Sequence, residues 1–152
     1  MDKKIILGSD HAGYLMKEHI KKLLDESKLQ YEDLGVFDDK TKSDYPTTAE
    51  KVAKQVAKSH SRGILICGTG IGESIVANKV KGIRAANCTN EFMATMSREH
   101  NDSNILCLGA RVLDEDKAKS IAKTWLETKF SGEERHVKRI DQINQIEEKD
   151  FK

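Results

Sequence analysis

The stretch Ile64-Leu-Ile-Cys67-Gly68-Thr69-Gly70-Ile71-Gly72-Glu73-Ser74 decides the fold of this 152-residue chain. Its apolar, β-branched beginning predicts a buried strand that ends at Cys67, and the alternating glycines that follow predict a turn into a helix. Glycine permits positive φ and lets a ligand come close to the main chain. A strand that turns directly into a helix is the building unit of a parallel sheet covered by helices.

The same stretch brings two chemical groups together. Free N–H groups at the start of a helix, aided by the helix dipole, form a site for negative charge. A thiol beside such a site should have its reactive thiolate form favoured. The glycine spacing is not the dinucleotide fingerprint, because Glu73 stands where the third glycine would be, and no P-loop lysine follows. A tight turn with a core cysteine is the purely structural alternative.

Short apolar runs alternate with amphipathic segments along the rest of the chain. Besides the strand that ends at Cys67, strands are predicted over residues 4–7, 31–35, 82–88 and 104–108. Helices are predicted over residues 14–27, from a cap at Thr47 or Thr48, over 71–80, through Phe92, Met93 and Met96 to about 98–100, from a cap at Asp114, and over about 133–150. This order predicts a Rossmann-like three-layer α/β/α fold with a five-stranded parallel sheet, in one domain over residues 1–152.

The last predicted helix has no strand after it. Ile140, Ile143 and Ile146 form an apolar stripe along one side of this helix. Because the sheet is already covered on both faces at this point, the stripe could dock on a second subunit. Packing back on its own domain is the alternative, and the pattern leaves both open.

Composition and charge exclude several classes of protein. The net charge is +1 with both signs interspersed, which argues against a nucleic-acid or membrane surface. Three cysteines without a C-x-x-C pattern argue against a disulfide framework or a zinc site, and Cys88 and Cys107 lie in apolar runs typical of buried thiols. With no signal-peptide pattern and no apolar run long enough to span a bilayer, we expect a cytoplasmic protein.

Polar residues with chemical potential collect at the predicted carboxyl ends of strands. Asp10 and His11 follow the first strand, Cys67 and Thr69 the third, and Arg111 the fifth. Ligands of open parallel sheets bind beyond these ends. The placement therefore predicts a small-molecule site at this edge of the sheet.

Two further groups lie outside these turns. Arg135 and Arg139 stand one helical turn apart and share a face, which suits a phosphate, although a solvated basic face is the alternative. His100 lies at the end of a helix before a strand, where a capping role is the alternative to a chemical one.

Motifs spread over nearly the whole chain resemble the ribose-5-phosphate isomerase B family, which also includes galactose-6-phosphate isomerase subunits. They are Gly8-Ser-Asp10-His11-Ala-Gly13, Asp44-Tyr45-Pro46, Ile66-Cys-Gly-Thr-Gly-Ile-Gly72, Ala77-Asn-Lys79, Gly82-Ile-Arg84, Ser97-Arg-Glu-His-Asn-Asp102, Gly109-Ala-Arg111-Val and Arg135-His136. The resemblance implies interconversion of ribose 5-phosphate and ribulose 5-phosphate through an enediolate, without metal or organic cofactor. It also implies a homodimer, or a pair of such dimers, whose active site is shared between subunits.

Two other functions compete with this one. The nearer is isomerisation of a six-carbon sugar phosphate, such as allose 6-phosphate or galactose 6-phosphate, because a pocket cannot be measured from a sequence. The more distant is a non-catalytic module that binds phosphate or a nucleotide. Such a module would use the glycine turn but would have no use for Cys67, Thr69 and His100 together.

The resemblance also implies a role for individual residues. Cys67 is expected to be the base that moves the proton between carbons 2 and 1, Thr69 to assist it, and His100 to open the sugar ring. Some members of the family carry their base at the position of Glu73, and this chain has both Cys67 and Glu73. We expect Cys67 to be the base and Glu73 to be a first-turn carboxylate stabilised by the helix dipole. The expected contacts to the sugar, its phosphate and its developing oxyanion are Asp10, His11, Tyr45, Gly68, Gly70, Ile71, Gly72, Ser74, Asn101, Arg111, Arg135, His136 and Arg139.

Overall fold

The computed structural model describes residues 3–151, so residues 1, 2 and 152 of the predicted domain lie outside the described part. Five strands and six α-helices occupy this range. The strands are β1 (Ile5–Ser9), β2 (Tyr31–Asp33), β3 (Arg62–Cys67), β4 (Ala85–Asn87) and β5 (Ile105–Gly109). The helices are α1 (Tyr14–Glu26), α2 (Tyr45–Ser59), α3 (Ile71–Ala77), α4 (Glu91–Glu99), α5 (Glu115–Glu127) and α6 (Glu134–Asp150).

The strands form one parallel sheet in the order β2-β1-β3-β5-β4. The central strand, β3, is in register with both neighbours, pairing Ile66 with Ser9 of β1 and Cys67 with Gly109 of β5. The turns that follow these strands therefore meet at one edge of the sheet. The predicted five-stranded α/β/α fold is confirmed.

Side chains alternate between two cores, one on each face of the sheet. Ile64 and Ile66 belong to the core covered by α1, α4 and α5, whereas Leu65 belongs to the core covered by α2 and α3. Because both faces are buried, the strands read as continuous apolar runs. Cys88 and Cys107 lie in these cores as predicted.

Helix α2 begins earlier than the sequence pattern indicates. Asp44 precedes its first residue, Tyr45, and Pro46 occupies the first turn. The predicted cap at Thr47 or Thr48 is wrong, because the fixed φ of proline and its missing N–H suit the first turn of a helix. Thr48 is instead buried inside the helix, with its methyl group close to Gly8 of β1.

Several other boundaries also differ from the pattern. Strand β2 ends at Asp33 and α3 ends at Ala77, each earlier than predicted. Strand β4 covers three residues, whereas residues 82–88 were predicted. Its approach is held by side chains rather than by the sheet, since Arg84 N–H donates to Asn104 Oδ1 at 2.8 Å and Ala85 N–H donates to Asn78 Oδ1 at 2.8 Å.

Helix α4 does not bury the side chains that predicted it. Phe92 is 71% exposed and Met93 is 39% exposed, whereas Ala94, Ser97 and Arg98 are buried. The helix exists over nearly the predicted range, but small and polar side chains form its buried side.

Helix α6 runs from Glu134 to Asp150, close to the predicted range. Its apolar stripe stays largely uncovered, with Ile143 44% and Ile146 60% exposed. The end of the helix contacts its own chain through polar groups, as Glu147 accepts the N–H of Gly82 at 2.8 Å. Across residues 3–151, no helix combines the length and the apolar character needed to cross a membrane.

Candidate active site

The turns after β1, β3 and β5 meet at the carboxyl end of the sheet and form what we call the carboxyl-end cluster. Arg111 N–H donates to Gly68 O at 2.9 Å, and the Arg111 guanidinium lies against Gly68. From α2, the Tyr45 ring lies where a side chain at Gly72 would begin. The predicted site residues in this cluster are Asp10, His11, Tyr45, Cys67, Gly68, Thr69, Gly70, Ile71, Gly72, Glu73, Ser74 and Arg111.

The Cys67 thiol faces the glycine turn rather than the apolar core. It is 4% exposed, and its Sγ accepts the N–H of Gly70 at 3.1 Å. Burial raises the pKa of the Cys67 thiol, and the Glu73 carboxylate raises it further, while the N–H groups of Gly70, Thr69 and Glu73 oppose the rise. The expectation of a favoured thiolate is therefore wrong, because loss of water outweighs the main-chain dipoles at the start of a seven-residue helix.

Glu73 lies directly beside this thiol and is fully buried in the first turn of α3. Burial raises the pKa of Glu73 well above its ordinary value, the Asp10 carboxylate adds to the rise, and the Cys67 thiol opposes it. Neither carboxyl oxygen of Glu73 accepts a hydrogen bond from an N–H or O–H group of residues 3–151. The surroundings of Glu73 thus do not favour the expected dipole-stabilised carboxylate, because burial and the Asp10 carboxylate both favour the neutral form of the side chain.

The turn after β1 is held from two sides. Asp10 is buried, and its Oδ1 accepts the N–H of Gly13 at 2.9 Å. His11 N–H donates to Ser43 Oγ at 3.0 Å, and Ser43 N–H donates to His11 Nδ1 at 3.2 Å. Because Nδ1 accepts this bond, the ring carries its proton on Nε2 and can offer that proton to a ligand.

The main-chain donors of the glycine turn are partly engaged. Ile71 N–H donates to Thr69 Oγ1 at 3.2 Å, and Ser74 N–H closes the first helical turn on Gly70 O at 3.2 Å. The Ser74 hydroxyl donates to Ile71 O at 2.7 Å. Gly70 N–H donates to Cys67 Sγ, and the N–H groups of Thr69 and Glu73 also lower the pKa of this thiol.

The remaining predicted residues lie at the opposite end of the sheet, in what we call the amino-end cluster. Helix α4 runs back along the sheet, and Asn104, at the end of the loop after it, accepts the N–H of Gly63 at the start of β3. The six residues of β3 span roughly 17 Å between the two ends. The members of this cluster are His100, Asn101, Arg135, His136 and Arg139.

Two histidine rings stack in the amino-end cluster. The centroids of His100 and His136 are 4.1 Å apart, and their planes differ by 17°. His136 is buried at the start of α6, and burial, together with the neighbouring His100 and Arg135 side chains, lowers its pKa. Arg135 and Arg139 are exposed on the same helix, with Arg135 Nε donating to Glu133 at 2.9 Å. This cluster can offer protons and positive charge to an anion from outside the chain.

Three residues near these clusters were given no role in the sequence analysis, although Arg84 belongs to one of the motifs that carry the family resemblance. Asn87 ends β4 beside Gly70, where its Oδ1 fills the place of a side chain and where Gly70 has φ +81°. Ser43 orients His11, and Arg84 binds the turn after His100. The sequence could have indicated Asn87 as a site residue, since it is a polar residue at the carboxyl end of a predicted strand. Within residues 3–151, no three His, Cys, Asp or Glu side chains are grouped to hold a metal.

Comparison with known proteins gives consistent matches over the whole length. The family described as Ribose/Galactose Isomerase matches residues 5–143. Ribose-5-phosphate isomerase B of Escherichia coli is 43% identical over 148 residues, which cover 97% of this chain and 98% of that protein. The Clostridium thermocellum ribose-5-phosphate isomerase B structure superposes with a TM-score of 0.93 at 50% identity, covering 97% and 99% of the two chains. A Mycoplasma genitalium ribose-5-phosphate isomerase B structure with bound ribulose-5-phosphate superposes with a TM-score of 0.90 at 38% identity, covering 95% and 96%.

Proposed function

Because this chain belongs to the ribose/galactose isomerase family and is a sugar phosphate isomerase, we propose that it interconverts D-ribose 5-phosphate and D-ribulose 5-phosphate. The observation that carries the proposal is the group of Cys67, the Gly70 N–H and the buried Glu73 at the carboxyl end of the sheet. A base and a main-chain donor in one place are what proton transfer next to a carbonyl requires, and the pKa of the buried Glu73 beside them is raised.

The first step opens the sugar ring, because ribose 5-phosphate arrives mainly as a furanose. His100 gives a proton to the ring oxygen while the bond from that oxygen to carbon 1 breaks. The anomeric hydroxyl gives its proton to water, and water returns a proton to His100. The product is the open-chain aldehyde. The exposed Arg135 and Arg139 hold the phosphate through charge-assisted hydrogen bonds, and Arg111 joins them from the carboxyl-end cluster.

The second step moves a proton between two carbons. The Cys67 thiolate takes the proton from carbon 2, and the electron pair forms a double bond between carbons 1 and 2 with negative charge on oxygen 1. Thr69 assists proton transfer between oxygens 2 and 1, and the Cys67 thiol returns its proton to carbon 1. The raised pKa of the thiol makes its thiolate a strong base, although the thiolate is a minor species at neutral pH.

The active site in this proposal is built by two subunits. The proposed base and the proposed ring-opening acid lie at opposite ends of the sheet in one chain, so one substrate cannot reach both. A homodimer that places the amino-end cluster of one subunit against the carboxyl-end cluster of the other brings them together. The largely uncovered stripe of Ile143 and Ile146 on α6 supports a partner on this side of the molecule.

A comparison of substrates tests the proposed activity. Initial rates are measured in both directions with ribose 5-phosphate, allose 6-phosphate and galactose 6-phosphate, using heat-denatured enzyme as the blank. We expect the highest kcat/KM for ribose 5-phosphate, with its product identified as ribulose 5-phosphate. A higher kcat/KM for either six-carbon substrate would overturn the choice of substrate, and no turnover of any of the three would overturn the proposed reaction.

A further inference from the structure

We propose that Arg84 is a positioning residue for this reaction, because it holds the turn of residues 100–102 that presents His100 to the active site. The inference rests on the proposed function, in which His100 opens the sugar ring. Arg84 lies before β4 and contacts neither the carboxyl-end cluster nor the His100 ring in the hydrogen bonds of residues 3–151.

The Arg84 guanidinium binds two successive carbonyl groups of this turn. Its Nε donates to Asn101 O at 2.9 Å, and its Nη2 donates to Asp102 O at 3.0 Å. The same Nη2 is 3.5 Å from Asp102 Oδ2. A planar guanidinium makes such paired contacts with less freedom than a lysine ammonium, which is a point charge on a flexible stem.

Main-chain bonds also hold this segment, since His100 N–H donates to Met96 O at 2.9 Å and Asp102 N–H donates to Arg98 O at 3.2 Å, but the carbonyls of Asn101 and Asp102 are bound by the Arg84 side chain. Asn101 is exposed, and Asp102 has φ +45°, a left-handed conformation that residues other than glycine seldom adopt. Arg98 Nη1 adds one bond to Asp102 Oδ1 at 2.9 Å, but it does not reach the carbonyls of residues 101 and 102. Arg84 is therefore the side chain that fixes the main chain immediately after His100.

Arg84 is itself fixed to the sheet. Its N–H donates to Asn104 Oδ1 at 2.8 Å, and Asn104 N–H donates to Arg84 O at 3.0 Å. The turn is thus tied to the start of both β4 and β5. The Arg84 side chain also lines a cavity of about 500 Å³ together with Asp102, so a shorter side chain leaves room for water. We expect substitutions of Arg84 to preserve the fold for this reason.

Arg62 provides a matched control. It lines the same cavity and donates through Nη1 to Leu126 O at 3.0 Å, but its side chain makes no hydrogen bond to residues 100–102. Removing Arg62 therefore removes one guanidinium from this end of the sheet and leaves the turn intact.

Two substrates separate positioning of His100 from a general structural role. Ribose 5-phosphate closes into a furanose, whereas in erythrose 4-phosphate the corresponding hydroxyl carries the phosphate, so the five-membered ring cannot form. Only the first substrate needs ring opening. We expect Arg84→Gln to lower kcat/KM roughly 30-fold for ribose 5-phosphate and roughly threefold for erythrose 4-phosphate. For Arg84→Lys, kcat/KM should lie between the values for Arg84→Gln and the wild type. Arg62→Gln should leave the ratio of kcat/KM for ribose 5-phosphate to kcat/KM for erythrose 4-phosphate unchanged.

The His100 ring signal in a ¹H–¹³C NMR spectrum gives a readout independent of activity. Arg84→Gln should shift or broaden this signal and leave the His11 signal in place, and Arg62→Gln should change neither. An unchanged His100 signal, or an equal loss for both substrates, would overturn the positioning role. His100→Gln tests the proposed ring opening itself. If this variant does not reduce the ratio of kcat/KM for ribose 5-phosphate to kcat/KM for erythrose 4-phosphate, the proposed ring opening is wrong, and the NMR signal alone decides the role of Arg84.

Discussion

The two ends of the sheet carry complementary halves of the proposed chemistry. At the carboxyl end, Cys67 and Glu73 are buried within the glycine turn, and burial raises the pKa of both side chains. At the amino end, Arg135 and Arg139 are exposed and charged, beside the stacked rings of His100 and His136. The buried thiol suits removal of a proton from carbon, and the exposed guanidinium groups suit binding of an anion.

In the proposed mechanism, this difference means that a single chain would not form a complete active site. A parallel sheet sends every strand in one direction and every connecting helix back, so residues after strands and residues after helices finish at opposite ends. His100 follows a helix and Cys67 ends a strand. A second subunit can supply the missing half at each end without any change in the fold.

The largest effect is expected from removing the thiol at the carboxyl end. Cys67→Ala should lower kcat about 10³-fold or more, because the proposed mechanism gives the role of base to this thiol alone. Glu73→Gln, which keeps the size of the buried side chain, should cost much less. Steady-state rates with ribose 5-phosphate measure both. Near-normal activity in Cys67→Ala together with an inactive Glu73→Gln would transfer the role of base to Glu73.

A smaller effect is expected at the amino end, where binding rather than proton transfer is lost. Arg139→Gln should raise the KM for ribose 5-phosphate roughly tenfold and leave kcat within about twofold, since a charge-assisted bond to the phosphate persists in the transition state. Lys138→Gln removes the same charge from an adjacent exposed position of α6 and should change neither constant. Equal effects of the two variants would mean that the helix attracts anions only through its overall charge.

The smallest effect concerns the pH dependence of stability, which the buried Glu73 at the carboxyl end should produce. The pKa of Glu73 is raised well above 4.5 in the folded chain. As the pH rises above about 4.5, Glu73 ionises in the unfolded chain before it does so in the folded chain, so the wild type loses stability. Glu73→Gln has no such loss. It should have a melting temperature at least about 3 °C above the wild type at pH 8 and nearly equal to it at pH 4. A difference that is the same at both pH values would show that Glu73 is ionised in the fold.

The stretch from Ile64 to Ser74 was readable from sequence because its signals are local. An apolar β-branched run, alternating glycines and a following amphipathic segment each act within a few residues. They predicted the strand, the turn and the start of α3, and polar residues at strand ends correctly placed Asp10, His11 and Arg111 at the same edge.

Features that depend on distant neighbours were not readable in this way. The insertion of β5 between β3 and β4 is set by packing of segments far apart in the chain. The direction of the Cys67 pKa follows from burial and from Glu73, whereas the sequence reveals only the helix that opposes both. The contacts of Arg84 with Asn101 and Asp102 cross 17 and 18 residues, and no local pattern predicts them.

A mixed dimer tests most directly whether the two ends of the sheet meet across subunits. Cys67→Ala and His100→Gln chains are co-expressed with different affinity tags, and the heterodimer is isolated by purification on both tags in sequence. If the active site is shared, one of the two sites of the heterodimer has an intact Cys67 from one chain and an intact His100 from the other, and the second site carries both substitutions. The heterodimer should then have about half the wild-type activity per dimer. An activity no higher than the mean of the two single-variant homodimers would contradict the shared site.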